Sequence, residues 1–97
     1  MIKVIVENNK IEVSGHALYD EYGKDIVCAS VSSIVITTIN ACIDIDEASI
    51  EYEDKDNKIK LEIKNDNEVI RKLINNMVFM LESLEGDYPK NIKILRR

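Results

Sequence analysis

The chain has 97 residues, room for one small domain and not two. Hydrophobic residues make up 45 % and charged ones 32 %, which supplies a core and a solvated surface and excludes a disordered chain, while three Gly and one Pro exclude collagen-like and low-complexity sequences. Thirteen basic against 18 acidic residues leave −5, and aromatics are only 5 % with no Trp. The charge disfavours broad phosphate contact and the aromatic share disfavours base stacking, so no direct nucleic-acid partner is expected; a basic partner suits the balance.

Met1–Lys10 contains no apolar stretch long enough for a signal peptide. Two Cys without a secretory signal point to a reducing compartment, the cytoplasm. Ile2–Glu7 and Lys10–Ser14 read as two short strands joined at Asn8-Asn9. Gly15–Asp25 is a polar loop containing Gly15 and Gly23, long for a hairpin and of the kind that carries function.

Ile26–Ile43 is 18 residues without a charge, close to the length of a membrane span. It holds Ser30, Ser32, Ser33, Thr37, Thr38 and Asn40 and has no stop-transfer flank, so it reads as a buried element of a soluble protein with no membrane partner. Its Val, Ile and Thr favour strand, but it is too long for one, and Val27, Val31, Ile34, Val35, Thr38 and Cys42 recur at steps of three and four. The segment is therefore predicted as a helix with Asp25 at its N-cap.

Ser49–Asp54 and Lys58–Lys64 alternate, with Asp54–Asn57 as the turn, so each should turn one face to the core: Ile50 and Tyr52 on one strand, Ile59, Leu61 and Ile63 on the other. Asn65–Glu68 resembles a capping box for a second helix with the stripe Ile70, Leu73, Met77, Leu81 and Leu84, ended by Gly86 and Pro89. Asn91–Leu95 is a last strand. The predicted fold is α+β, ββαββαβ, with two helices packed on an antiparallel or mixed sheet in a single domain spanning 1–97. At this length the core is modest, and a dimer interface would add to it.

One pair carries possible chemistry. His16 is the single histidine, and Cys28 follows twelve residues later at the third position of the predicted helix. The positive end of a helix favours a thiolate by about 1–2 kcal/mol. An imidazolium about 4 Å away adds roughly 4 kcal/mol at an effective dielectric of 20, before desolvation, so His16 is the larger influence. Against this stands the ordinary role of a helix Cys as a small buried hydrophobe and of a loop His as polar surface. Cys42 lies 14 residues beyond Cys28, about 21 Å along one helix, too far for a disulfide or a shared metal. Two Cys and one His also fall short of a zinc site, so no metal is expected and Cys42 reads as core. Ser32, one turn after Cys28, either bonds the sulfur or a substrate, or back-bonds to the preceding turn; spacing favours the back-bond. Asp25 either caps the helix or orients His16 as a third member.

The residues Gly15-His16-Ala17, Gly23 and Asp25-Ile26-Val27-Cys28-Ala29-Ser30-Val31-Ser32 resemble the ribosomal-processing cysteine protease family, called Prp. The signature of that family is a Gly-His-Ala turn, a short loop and an Asp-Ile-Val-Cys-Ala-Ala-Val-Ser helix start. The chain departs from it at Ser30 and Ser33, where small residues replace Ala. The resemblance covers essentially the whole chain. It implies a cytoplasmic homodimeric cysteine endopeptidase that removes a short N-terminal extension from a large-subunit ribosomal protein precursor, cutting after two aromatic residues and supporting ribosome assembly. It implies Cys28 as nucleophile, His16 as base, and Asp25 and Ser32 as supporting positions. Gly15, Ala17, Tyr19, Tyr22 and Gly23 would belong to a loop that orders over the substrate; ordinary loop packing is the other reading of the tyrosines. No cofactor is required, and backbone N–H groups at the helix start, Cys28's included, are the expected oxyanion donors. Asp20, Glu21, Glu51 and Glu53 would attract a basic ribosomal protein, or simply keep the chain soluble. The alternatives are a non-catalytic ribosomal-protein-binding module of the same fold, which would not need the His16–Cys28 pair, and a thiol sensor, which would need a resolving Cys nearer than Cys42.

Overall fold

The computed structural model describes residues 1–16, 18, 20–21 and 25–97. The elements run β1 (Ile2–Val6), β2 (Lys10–Ser14), α1 (Ile26–Ile45), β3 (Ile50–Lys55), β4 (Lys58–Ile63), α2 (Glu68–Asp87) and β5 (Ile92–Arg96). The strands form one sheet in the order β3-β4-β2-β1-β5. It is mixed: β1 runs parallel to β5, and the other three pairings are antiparallel. The predicted ββαββαβ order and the two-helix, one-sheet architecture are both present.

Period-two alternation builds the layers. Ile2 and Val4, Ile11 and Val13, Ile50, Leu61 and Ile63, and Ile92 and Ile94 turn to one face and are buried. Against them pack Val27, Val31, Val35, Ile39 and Cys42 of α1 and Ile70, Ile74, Met77, Val78 and Leu81 of α2. Each of these side chains, fully withdrawn from water, contributes roughly 1.5–3 kcal/mol before chain entropy is set against it. The other sheet face is open and charged, with Lys58 paired to Glu12 at 3.2 Å and Lys64 to Glu62 at 3.0 Å.

Asp25 caps α1 as predicted: its Oδ1 accepts from the Val27 and Cys28 N–H groups, both at 3.0 Å. The helix runs two residues past its predicted end, and the Asp46 N–H closes it on the Cys42 carbonyl at 2.9 Å. Fully buried Ser49 donates its hydroxyl to that same carbonyl at 3.1 Å and ties α1 to β3. Although α1 has the length and a mean hydropathy of 2.0 that would suit a membrane span, one stripe of it lies in this core. Its other side faces outward with Ile26, Ser33, Ile36, Thr37 and Asn40, all uncharged and exposed.

Three local expectations are corrected. The cap of α2 is Asn67, whose Oδ1 accepts from the Ile70 N–H at 3.0 Å. Asn65 instead reaches across to the Asp46 carboxylate at 2.7 Å, so the predicted box is shifted by two residues. Gly86 does not end the helix; α2 continues to Asp87 and closes through the Tyr88 N–H on Leu84. Tyr52 shares a face with Ile50 but is half-exposed, because β3 is the sheet edge and α1 covers only its start.

The β3–β4 connection is tighter than the predicted four residues. Asp56 and Asn57 form a two-residue turn with φ of 56° and 59°. Positive φ at both central positions is the turn whose twist matches a hairpin. At the far end of the sheet Arg71 fixes the β1–β2 turn to the start of α2. It donates to the Asn8 carbonyl and to Asn9 Oδ1, each at 2.8 Å, while holding Asp66 at 2.6 Å.

Candidate active site

The site lies where β2 ends and α1 begins. Gly15 follows the last residue of β2 with φ +88°, a conformation that L side chains rarely adopt. A Cβ there would stand 2.5 Å from the Met1 carbonyl oxygen, so the position requires glycine on two counts. Its N–H donates to the Asn57 carbonyl at 3.2 Å, which ties the end of β2 to the hairpin turn. His16 comes next and is exposed.

Cys28 sits in the first turn of α1, partly buried against the core. His16 and Cys28 line the same two depressions. One, of about 550 Å³, is walled by His16, Leu18, Asp20, Asp25, Cys28, Ala29 and Ser32. The other, of about 280 Å³, runs from His16, Cys28, Val31 and Ser32 over Ile2, Val13 and Ile59 to Asp54 and Asn57 of the hairpin. His16, Cys28 and Ser32 form the saddle shared by both. A further hollow of about 320 Å³ on the open sheet face, lined by residues such as Lys10, Glu12, Glu51 and Lys60, contains no nucleophile and is not part of this arrangement.

The fold thus gathers His16, Cys28, Asp25 and Ser32 around one space. Ser32 departs from the expected back-bond: Ser30 and Thr38 donate to carbonyls four residues back, at 2.7 and 2.9 Å, whereas Ser32 makes no such bond and its exposed side chain lines the saddle. The Cys28 N–H is not the open oxyanion donor that the sequence suggested, since it already donates to Asp25. Of the loop residues, Gly15 is a fixed joint; Ala17, Tyr19, Tyr22 and Gly23 lie outside the described residues. Of the acidic residues named from the sequence, Asp20 borders the depression beside His16, while Glu51 and Glu53 lie on the open face of β3. Asp54 and Asn57 were missed. Only the pairing of β4 with β2 brings their hairpin to the site, and no local pattern in the sequence signals it.

Cys42 is different in kind. It is fully buried in the core, and burial pushes its thiol above the ordinary value. Neither cysteine is in a disulfide. Among the described residues no three His, Cys, Asp or Glu side chains group to hold a metal ion.

A sequence model of the family described as "Cysteine protease Prp" matches residues 1–93. The chain belongs to the Prp family of cysteine proteases. It is 32 % identical over 90 residues to the ribosomal processing cysteine protease Prp of Bacillus subtilis, covering 86 % of this chain and 80 % of that one. It is 28 % identical over 92 residues to the Prp of Mycoplasma pneumoniae, covering 95 % and 91 %. A crystal structure of Staphylococcus aureus Prp with a covalently linked product peptide superposes over the full length of both chains, with a TM-score of 0.90 at 26 % identity. The Prp fold seen there is the mixed five-stranded sheet with two helices described above.

Alkylation should reach Cys28 in the native protein and Cys42 only after unfolding, which mass spectrometry of labelled peptides will separate. Because the folded Cys42 thiol holds its proton more tightly than the unfolded one, its contribution to stability is full below the ordinary thiol value and is lost as pH rises from there through the raised folded value. Urea midpoints should fall between pH 8 and 10, and fall less in Cys42→Ala. Gly15→Ala should cost more than about 1 kcal/mol in urea denaturation, since it places a side chain at positive φ against a carbonyl.

Proposed function

We propose that this chain is the cytoplasmic endopeptidase that removes a short N-terminal extension from a large-subunit ribosomal protein precursor, with Cys28 as nucleophile and His16 as general base. The observation that carries the reading is the shared saddle of His16, Cys28 and Ser32 between two depressions, in a chain whose relatives are named ribosomal processing proteases. A thiol and an imidazole on one cleft are the minimum for acyl transfer.

In this mechanism His16 takes the Cys28 proton and the thiolate attacks the scissile carbonyl carbon. Collapse of the tetrahedral adduct breaks the C–N bond, and His16 returns the proton to the leaving amine. Water, deprotonated by His16, then attacks the thioester and releases the carboxylate product and the Cys28 thiol. Asp25 holds the helix start and so sets the position of the sulfur; its bond to the Cys28 N–H means that this donor serves an oxyanion only if the cap lets go. The Ser32 hydroxyl, not engaged with the backbone, is available to the substrate.

The proposed working form is a homodimer. Between Ile26 and Ile43 the outward side of α1 carries no charge, and it meets α2 in a groove where Ile26, Ala29, Ile34, Met80 and Leu84 are joined by three serines and Asp87. Phe79, the residue before Met80 on α2, is 63 % exposed. An uncharged helix face of this extent suits a second copy better than water.

A peptide spanning the extension junction of the precursor should be cut by the wild-type protein and not by Cys28→Ala, which should still bind it. His16→Ala should lower kcat by about 10²–10⁴. Mass spectrometry of the products is the measurement, and cutting by Cys28→Ala would end the assignment. Light scattering should give a mass of two chains, falling to one in Met80→Glu; a wild-type monomer would refute the dimer.

A further inference from the structure

We propose that Asp54 selects a lysine or arginine side chain of the substrate on the hairpin side of the scissile bond. This rests on the cleft being the proteolytic site. The two depressions meet at Cys28, so an extended chain laid across the thiol enters both, and each reads the residues on one side of the cut.

The hairpin-side depression is small, about 280 Å³, and its floor is apolar, with Val13, Val31 and Ile59. Asp54 stands on its wall, directly across the β3–β4 ladder from Ile59. An apolar floor with a carboxylate at its edge matches an amphipathic cation, whose methylenes lie along the floor while the charged head reaches the acid. Asp54 is exposed and makes no ion pair with a described residue. The nearby lysines do not neutralise it. Strand alternation turns Lys55 and Lys58 to the opposite sheet face, where Lys58 is held by Glu12 at 3.2 Å. Asn57, the other polar hairpin residue on this wall, is neutral and spends its carbonyl on the Gly15 N–H.

The test uses a set of junction peptides in which each of the three residues on either side of the cut is in turn Lys, norleucine or Glu. The ratio of kcat/KM for Lys over norleucine is the readout. In the wild-type protein one position should favour Lys about tenfold, the value of a partly desolvated ion pair. Asp54→Asn should remove that preference, mainly through KM, and Asp54→Lys should turn it toward Glu at the same position. Glu53→Gln, one residue away on the other face, should leave the ratio as it is. Equal cleavage of Lys and norleucine peptides at every position overturns the proposal and leaves the protease intact. An equal fall in Asp54→Asn and Glu53→Gln also overturns it, since the preference would then be long-range attraction. A wild-type protein that cuts no peptide overturns both readings.

Discussion

The pairing of β2 with β4, two strands far apart in the chain, decides where everything else in the site stands. It sets the end of β2 beside the β3–β4 turn, where the Gly15 N–H meets the Asn57 carbonyl. From that joint His16 emerges toward the first turn of α1. The opposite border is set by Asp25, whose carboxylate gathers the Val27 and Cys28 N–H groups and starts the helix at the right residue. The thiol and the imidazole therefore owe their proximity to one sheet ladder and one helix cap. The ladder is a backbone feature that most surface substitutions leave intact, whereas the cap depends on the Asp25 side chain alone.

Local patterns carried the fold far. The steps of three and four from Val27 to Cys42 gave α1 despite its β-branched content, because burial of one stripe outweighs the few tenths of a kcal/mol by which Val, Ile and Thr disfavour a helix. The cap at Asn67 was harder to read. Asn65, Asp66 and Asn67 are each able to cap, and the choice is settled by Asp46, 19 residues upstream, which engages Asn65. Tyr52 shows the same limit. Its alternation is right, but whether a strand face is covered depends on where α1 ends, and the strand's own sequence does not contain that. That His16, Cys28, Asp25 and Ser32 lie near one another was legible because they are close in sequence across one loop, while the roles expected of them rested on the family resemblance. Asp54 and Asn57 were not, because their nearness to His16 is created by strand order.

The Asp25 cap has a chemical cost as well as a structural use. The cap occupies the Cys28 N–H, the donor that the proposed mechanism would offer to an oxyanion. Stability of the helix start and the proposed chemistry thus draw on the same Cys28 N–H.

The parallel pairing of β1 with β5 separates the two chain termini. The Met1 carbonyl backs directly onto Gly15, the residue before His16. β5 begins beside Ile2 and ends beside Val6, which carries Arg97 to the opposite end of the sheet, where its N–H bonds the Val6 carbonyl. A fluorophore or affinity handle joined to the C-terminus therefore stands at the far end of the sheet, whereas one joined ahead of Met1 emerges beside Gly15 and the cleft that His16 and Cys28 line.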